Sequence, residues 1–221
     1  MLLTEEDQNF LKVKIKFLII ILTLFFTSKS YCEKIVLEKL VELDSPWGSS
    51  FINNNEIIVT EKSGKIKIVD ILTNQIQEVD HQLDFVVHGQ GGLLDIIHKD
   101  NIVWISYTED RGNYKTSTSI ARAELNKKKL LFKNIFQANP PIDSGYHFGS
   151  RLAIKDNYIY ASAGERGQGM IAQDASKHPG SIIRIHLDGS IPNDNPKFDC
   201  KSDWLPEIYQ LGIRNPQGMV L

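Results

Sequence analysis

The chain has 221 residues, 42% of them hydrophobic and 24% charged, with a formal net charge of -2 at pH 7. These proportions are typical of a globular protein and argue against a fibrous or largely disordered chain. Because the net charge is close to zero, the chain lacks the strongly positive electrostatic potential of nucleic acid-binding proteins. No nucleic acid partner is therefore expected.

The first part of the chain predicts a secretory signal peptide. Lys12, Lys14 and Lys16 precede an apolar run over residues 17–26, and small and polar residues follow that run. A basic start, a short apolar middle and a small-residue end are the pattern of an export signal. The run of about ten apolar residues is shorter than the roughly 20 that span a bilayer, so an uncleaved anchor is the alternative.

This prediction sets the expected location and the first domain boundary. Residues 1–32 form the leader, residues 33–221 form the mature protein, and the mature protein is periplasmic or secreted. The acidic opening is unusual ahead of a signal peptide, which indicates a true start nearer Val13 than Met1.

The mature part begins with short β-rich segments separated by Gly, Asn and Asp. Residues 56–61 and 65–70 predict a hairpin across a Ser63-Gly64 turn. Since residues 65–70 alternate between apolar and polar side chains, one face of this hairpin is expected to be buried.

The same unit of strand, turn, second strand and paired third strand recurs along the chain. Its copies start near Phe51, Leu94, Leu152 and Met219, at spacings of about 43, 58 and 67 residues, close to the period of four-stranded propeller blades. Further second and third strands are predicted over residues 102–109, 119–125, 158–165 and 181–187.

This repeat predicts an all-β fold of the β-propeller class with about three blades. A sandwich also has short strands but does not repeat this order of elements. A fourth copy opens with residues 216–221 and is cut off. Because propellers close with four to eight blades, three blades form an open arc whose sheet edges favour aggregation.

Three segments carry side chains that suit a ligand site at the channel of such a propeller. Gln90 lies among glycines and offers both a donor and an acceptor, although a simple turn is the alternative. His147 precedes the third inner strand and is a candidate general base, the alternative being a structural histidine. Arg214 and Asn215 precede the fourth copy and offer a cation and an orienting amide.

The remaining polar segments favour structural roles. Arg151 is expected to pair with a carboxylate such as Asp174 or Glu165. The loop over residues 165–174 is expected to shape the pocket without taking part in the chemistry. Residues 188–196 are rich in carboxylates but lack EF-hand spacing, so a structured turn is predicted there, and no metal-ligand set is assigned.

Taken together, the motifs resemble the soluble dehydrogenases of aldose sugars that depend on pyrroloquinoline quinone (PQQ), the glucose/sorbosone dehydrogenase family. Each motif by itself is common, but the number and order of the motifs make the resemblance specific. The motifs extend over essentially all of the mature chain. They lie at residues 46–48, 61–64, 89–94, 107–109, 147–152, 164–167, 172–174, 188–196 and 206–219.

The resemblance implies a six-bladed propeller that binds PQQ and Ca²⁺ at the channel mouth and oxidises an aldose sugar to its lactone. It implies His147 as the base that takes the anomeric hydroxyl proton, while the hydride passes to the quinone and its electrons to an acceptor. Arg214 matches the arginine beside the reactive quinone carbonyl, and Asn215 and Gln90 match further cofactor contacts. These residue types suit that chemistry, since the cofactor is the electron sink.

One departure from the family pattern qualifies these expectations. The family's backbone carbonyls for calcium, and its later Lys and Arg residues for the quinone carboxylates, lie beyond the position that matches Leu221. The chain is therefore expected to be the N-terminal part of such a propeller, binding quinone weakly or not at all by itself. Two alternatives are a secreted, non-catalytic binding protein or remnant, and a half that assembles with a separately encoded C-terminal half.

Overall fold

The computed structural model describes residues 35–197 and 203–220, together with Lys12, Lys14 and Lys16 in helical conformation. Apart from these three lysines, the predicted signal peptide lies outside the described residues. The chain divides into two compact units, Met1–Lys39 and Leu40–Leu221. Residues 35–39 of the first unit have no regular secondary structure, and no described helix is long and apolar enough to cross a membrane.

The second unit is built almost entirely of β-strands. Its one described helix is a 3-10 helix over Gly169–Gln173. The strands of the described residues are β1 (Pro46–Phe51), β2 (Glu56–Glu61), β3 (Ile66–Asp70), β4 (Ile76–His81), β5 (Leu93–Lys99), β6 (Ile102–Asp110), β7 (Thr116–Glu124), β8 (Lys129–Leu130), β9 (Lys133–Gln137), β10 (Gly149–Lys155), β11 (Tyr158–Ala163), β12 (Ser181–His186) and β13 (Ile208–Leu211).

These strands form three antiparallel sheets, which are three blades of a β-propeller. Blade 1 has the order β1-β2-β3-β4, to which the short β8 adds a parallel pair; blade 2 has the order β5-β6-β7-β9 and blade 3 the order β10-β11-β12-β13. The predicted fold class and the predicted hairpin of β2 and β3 are confirmed.

The outermost strand of each blade was not predicted. In β4 the side chains of Ile76, Gln77 and Glu78 are exposed, so the strand has no apolar periodicity to reveal it. Residues 212–220 form no paired strand within the described residues, so the fourth copy predicted to open at Pro216 stays a prediction. Strand pairing in these places depends on backbone hydrogen bonds that side-chain patterns do not report.

Two apolar cores lie between the blades. Strand β6 supplies both, because its side chains alternate between its two faces: Ile105 packs with Ile58 and Ile96 in the first core, whereas Trp104 packs with Ile183 in the second. Each fully buried isoleucine contributes about 1.5–3 kcal/mol through apolar burial. Because successive side chains of β6 point to opposite faces, this one strand packs against both neighbouring blades.

A buried hydroxyl at the same register position of each second strand joins the innermost strands. Thr60, Ser106 and Ser162 are fully buried. Thr60 accepts from the Gly48 N–H and donates to the Leu94 carbonyl of the next blade. Ser106 accepts from the Asp95 N–H and donates to the Ser150 carbonyl of the next blade. Ser162 accepts from the Arg151 N–H. These bonds fix how the inner strands β1, β5 and β10 lie side by side.

Candidate active site at the channel mouth

The candidate site lies where the inner strands β5 and β10 begin, an end that we call the channel mouth. The segments 88–92 and 144–148 lead into these strands, and residues 212–217 follow blade 3. The four predicted side chains, Gln90, His147, Arg214 and Asn215, lie on these segments and are brought together by the fold.

Gln90 and Glu165 both form hydrogen bonds with His147 at the channel mouth. Its backbone N–H donates to Gln90 Oε1 at 2.8 Å, and its imidazole Nδ1 lies 2.6 Å from Glu165 Oε1. Since an ionised carboxylate only accepts hydrogen bonds, Nδ1 is the ring nitrogen that donates in this contact. Among the described residues, no side chain or main-chain group is hydrogen-bonded to Nε2.

Glu165 was not among the predicted site residues: the sequence placed it in a pocket-shaping loop and named it as a possible partner of Arg151. Its side chain is 5% exposed and lies 3.6 Å from Arg214 Nε. Burial alone raises the pKa of this carboxyl, but hydrogen bonds from His147 and from the Gly169 N–H hold the pKa below its ordinary value of 4.5. Glu165 is therefore ionised at neutral pH and acts as the shared acceptor of the site.

Arg214 and Asn215, which follow blade 3, differ in how firmly their side chains are held. The Arg214 side chain is 80% exposed, while its backbone carbonyl accepts the Glu165 N–H at 2.9 Å. Asn215 Oδ1 accepts hydrogen bonds from the Gly149 N–H at 3.0 Å and from Gln217 Nε2 at 2.9 Å. The asparagine anchors this segment to the start of β10, whereas the exposed guanidinium of Arg214 is held only by the ion pair with Glu165 at 3.6 Å.

The ion pair predicted for Arg151 is different from the one observed. Its carboxylate partner is Asp95 at 3.5 Å, and neither Asp174 nor Glu165 contacts it. The guanidinium also lies 4.1 Å from the centre of the Trp47 ring. Asp174 instead pairs with Lys177 at 2.8 Å. The correct partner lies in blade 2, fifty-six positions away in sequence, so no local pattern could identify it.

A cleft of about 250 Å³ opens beside these residues. None of the residues that line it is acidic, and two of its walls come from the segments that carry Gln90 and Asn215. The lining residues are Trp47, Lys62, Gln90, Phe148, Gly149, Asn215 and Gln217. The cleft therefore suits a polar ligand with negative charge.

The carboxylate-rich segment after β12 is a structured turn, as predicted. Asp188 accepts hydrogen bonds from the Ser190 N–H and hydroxyl, and Asp194 and Asn195 hold the Arg184 guanidinium at 2.5 Å each. The described residues contain no group of three or more His, Cys, Asp or Glu side chains that could hold a metal ion.

The family model for glucose/sorbosone dehydrogenases matches residues 43–221. The chain belongs to this family. It is 33% identical over 190 residues to aldose sugar dehydrogenase YliI of Escherichia coli K12, covering 81% of this chain and 51% of that protein. It is 26% identical to quinoprotein glucose dehydrogenase B of Acinetobacter calcoaceticus, covering 87% of this chain and 46% of that protein.

Solved structures give the same result for the fold. The apo-form of the soluble aldose sugar dehydrogenase from Escherichia coli matches with a TM-score of 0.76 at 33% identity, over 80% of this chain and 54% of that one. The PQQ-bound aldose sugar dehydrogenase from Streptomyces coelicolor matches with a TM-score of 0.71 at 25% identity, over 82% and 55%. The chain thus spans about half the length of the curated relatives that it matches.

Proposed function

We propose that this chain carries the proton-accepting part of a PQQ-dependent aldose dehydrogenase site, which oxidises the sugar to its lactone. The observation that carries the proposal is the ion-pair cluster at the channel mouth, in which Glu165 Oε1 lies 2.6 Å from His147 Nδ1 and 3.6 Å from Arg214 Nε. The names of the relatives in Escherichia coli and Acinetobacter calcoaceticus support the substrate class.

In this proposal His147 is the general base. With Nδ1–H donating to the ionised Glu165, Nε2 takes the proton from the anomeric hydroxyl of the sugar. Glu165 holds the imidazole in this tautomer and stabilises the imidazolium that forms, because its negative charge lies within hydrogen-bond distance. Gln90 fixes the backbone of the same turn through the His147 N–H.

The residues at the mouth fit the anionic quinone named for the Streptomyces coelicolor structure. Lys62 and Arg214 supply positive charge, Gln90 and Asn215 supply amide groups, and the cleft lining has no carboxylate. We assign Arg214 to the side of the quinone where negative charge develops, and Gln90 and Asn215 to its neighbouring contacts. Held by these residues, a quinone would supply the acceptor for the hydride of the sugar and for its electrons.

We further propose that Ca²⁺ accompanies the quinone and that the protein works in the periplasm or outside the cell. The described residues present no cluster of acidic or histidine ligands for this ion. The calcium proposal is therefore tested by comparing quinone binding with and without added Ca²⁺. Localisation is tested by fractionating cells that express the chain with and without residues 1–32.

We propose also that further blades complete the ring, supplied by the same polypeptide or by a separately encoded half. The observation that favours this is that the described residues form three blades, whereas propellers close with four to eight. The DNA downstream of this coding sequence distinguishes the alternatives. An adjacent reading frame that encodes further propeller motifs with Lys and Arg residues supports a completed enzyme. Its absence would favour a secreted, non-catalytic binding protein or remnant.

The test of the proposed function measures dye-linked sugar oxidation with added PQQ and Ca²⁺, by the chain alone and by the chain joined to the missing blades. We expect activity from the completed ring and little from the chain alone. His147→Gln should lower kcat by about 10²–10⁴-fold, the range of general-base catalysis.

The matched control is His178→Gln. His178 also faces a glutamate, with Nε2 3.4 Å from Glu207, but its other hydrogen bonds are with Asn139 and Ser181 and none is with the predicted site residues. This variant should keep its kcat. A completed ring that binds no quinone, or a His147→Gln variant with undiminished kcat, would show the proposal to be wrong.

A further inference from the structure

Arg166 is a buried cation beneath the channel mouth that the proposed chemistry does not use. The residue is 3% exposed. Its guanidinium donates to the carbonyl of Thr116 at 2.9 Å, to the Thr116 hydroxyl at 2.8 Å and to the carbonyl of Tyr146 at 3.0 Å, and also to the carbonyl of Ser144. Four hydrogen bonds from one side chain therefore join the start of β7 to the turn over residues 144–148.

This guanidinium has no ionic partner among the described residues. Every acceptor it contacts is a carbonyl or hydroxyl oxygen, and it lies 3.7 Å from the centre of the Phe148 ring. Burial lowers the pKa of Arg166 to about 10, so the group remains protonated at neutral pH. A buried charge is costly unless its hydrogen bonds are satisfied, and here three carbonyl oxygens and the Thr116 hydroxyl accept them.

The turn over residues 144–148 that Arg166 contacts has an unfavourable backbone conformation. His147 has a φ of 50°, in the left-handed region that non-glycine residues avoid. Such a residue costs of order 1–3 kcal/mol and persists only where the surroundings hold it. Arg166 contacts the carbonyls immediately before His147 with its side chain, and its N–H donates to the His147 carbonyl at 3.3 Å.

From this geometry we infer that Arg166 is a positioning residue, which holds the 144–148 turn so that His147 meets Glu165 and Gln90. Its importance for catalysis rests on the proposed role of His147 as the base. The conformational part of the inference does not depend on sugar oxidation and can be measured without it.

The experiment compares Arg166→Met and Arg166→Lys in the full chain by amide hydrogen exchange and by NMR of the His147 imidazole. Methionine keeps much of the volume but none of the donors, whereas lysine keeps the charge and some of the donors. We expect the His147 and Arg166 amides to exchange about tenfold faster or more in Arg166→Met, with the His147 ring signals shifted. Lysine should restore a large part of the protection.

Arg184→Met is the matched control. Arg184 is also a buried arginine of blade 3, but it contacts Asp194 and Asn195 and not the turn. Its loss should speed exchange near Asn195 and leave the His147 signals unchanged. If Arg166→Met does not fold, Thr116→Val removes only one acceptor of the guanidinium and should still speed exchange of the His147 amide.

The inference is overturned if Arg166→Met, or Thr116→Val in its place, leaves exchange and ring signals of His147 as in the original protein, or changes them no more than Arg184→Met does. In a completed ring that oxidises sugar, Arg166→Met should lower kcat with little change in KM, and lysine should restore part of it. If the completed ring oxidises no sugar, the proposed function fails while the exchange data still decide the role of Arg166.

Discussion

Blades 2 and 3 each carry a glutamate three positions after the buried hydroxyl of their second strand, yet the two carboxylates have different partners. Glu109 accepts hydrogen bonds from the Ser119 hydroxyl at 2.6 Å and from Gln137 at 2.7 Å, both in its own blade. Glu165 accepts from His147, which lies on the connection between blades, and lies near Arg214 on the following segment.

The difference arises from where each second strand ends. Strand β6 continues through Glu109, which pairs with Ser117 of β7, so the carboxylate stays within the sheet. Strand β11 ends at Ala163, and the chain turns away through Gly164 before reaching Glu165. The carboxylate then points to the connections at the channel mouth. The sheet sets the position of the residue, and the connecting segments determine its role.

The largest expected effect is on catalysis, from replacing the two glutamates in turn. Glu165→Gln removes the negative charge that fixes the His147 tautomer, so kcat for sugar oxidation in a completed ring should fall about 10²–10⁴-fold. Glu109→Gln alters hydrogen bonds within blade 2 only and should leave kcat within about twofold. The ring nitrogen shifts of His147 give the tautomer directly. Equal losses in both variants would remove the distinction between the blades.

The next effect is on stability, from the carboxylate at the end of β2 in blade 1. Glu61 is fully buried, pairs with Lys67 at 2.7 Å and accepts the Asp44 N–H at 2.7 Å. Because Glu61→Gln leaves Lys67 without its partner, the free energy of unfolding should fall by about 1–3 kcal/mol.

Denaturant unfolding measures this loss, and the exposed pair of Lys65 and Glu78 provides its control. Both side chains of that pair are 54% exposed. Glu78→Gln should therefore change the free energy of unfolding by about 1 kcal/mol or less. An effect of Glu78→Gln as large as that of Glu61→Gln would contradict the assignment of the buried pair as a structural element of blade 1.

A third test is the acid dependence of stability. The pKa of Glu165 is held below its ordinary 4.5 in the folded protein, so its contribution to stability is present above that pH and is lost as the pH falls. Glu165→Gln lacks this contribution and should lose less stability than the original chain between neutral pH and acid. Unfolding measured at several pH values checks this; an unchanged slope would mean that Glu165 and His147 are not coupled.

The smallest expected effect is that of Arg214→Met on stability. The side chain is 80% exposed and its nitrogen lies 3.6 Å from Glu165, so the free energy of unfolding should change by no more than about 0.5 kcal/mol. Thermal unfolding measures this change, while quinone binding by the completed ring measures the proposed cofactor role. A large loss of stability would assign Arg214 to the fold instead of to the ligand.

Much of the inner part of each blade could be predicted from the sequence. Residues 65–70 alternate apolar and polar side chains around β3, and β6 is a run that is buried at six consecutive positions. Turns rich in Gly, Asn and Asp bound these strands, so side-chain pattern and pairing agree. The outer strands β4, β9 and β13 were missed because short or exposed strands depend on main-chain pairing with a neighbour.

The site was predictable only in part, for a related reason. Gln90, His147, Arg214 and Asn215 stand out because of their glycine-rich surroundings, but Glu165 was assigned to a loop. Its contact with His147 spans eighteen positions and forms only because β10 and β11 lie side by side. The position that Glu165 shares with Glu109 marks a carboxylate at a strand end but does not reveal its partner, since Glu109 stays within its own blade.

The sequence alone therefore determined the class of fold, the order of the blades and the residue types available for chemistry, since these follow from local alternation, turn residues and motif order. Only the tertiary structure decided which carboxylate meets His147, that Arg151 pairs with Asp95, and that Arg166 lies buried beneath the turn. Such contacts join segments far apart in the chain, and their energies depend on burial and distance, which the folded sheets create.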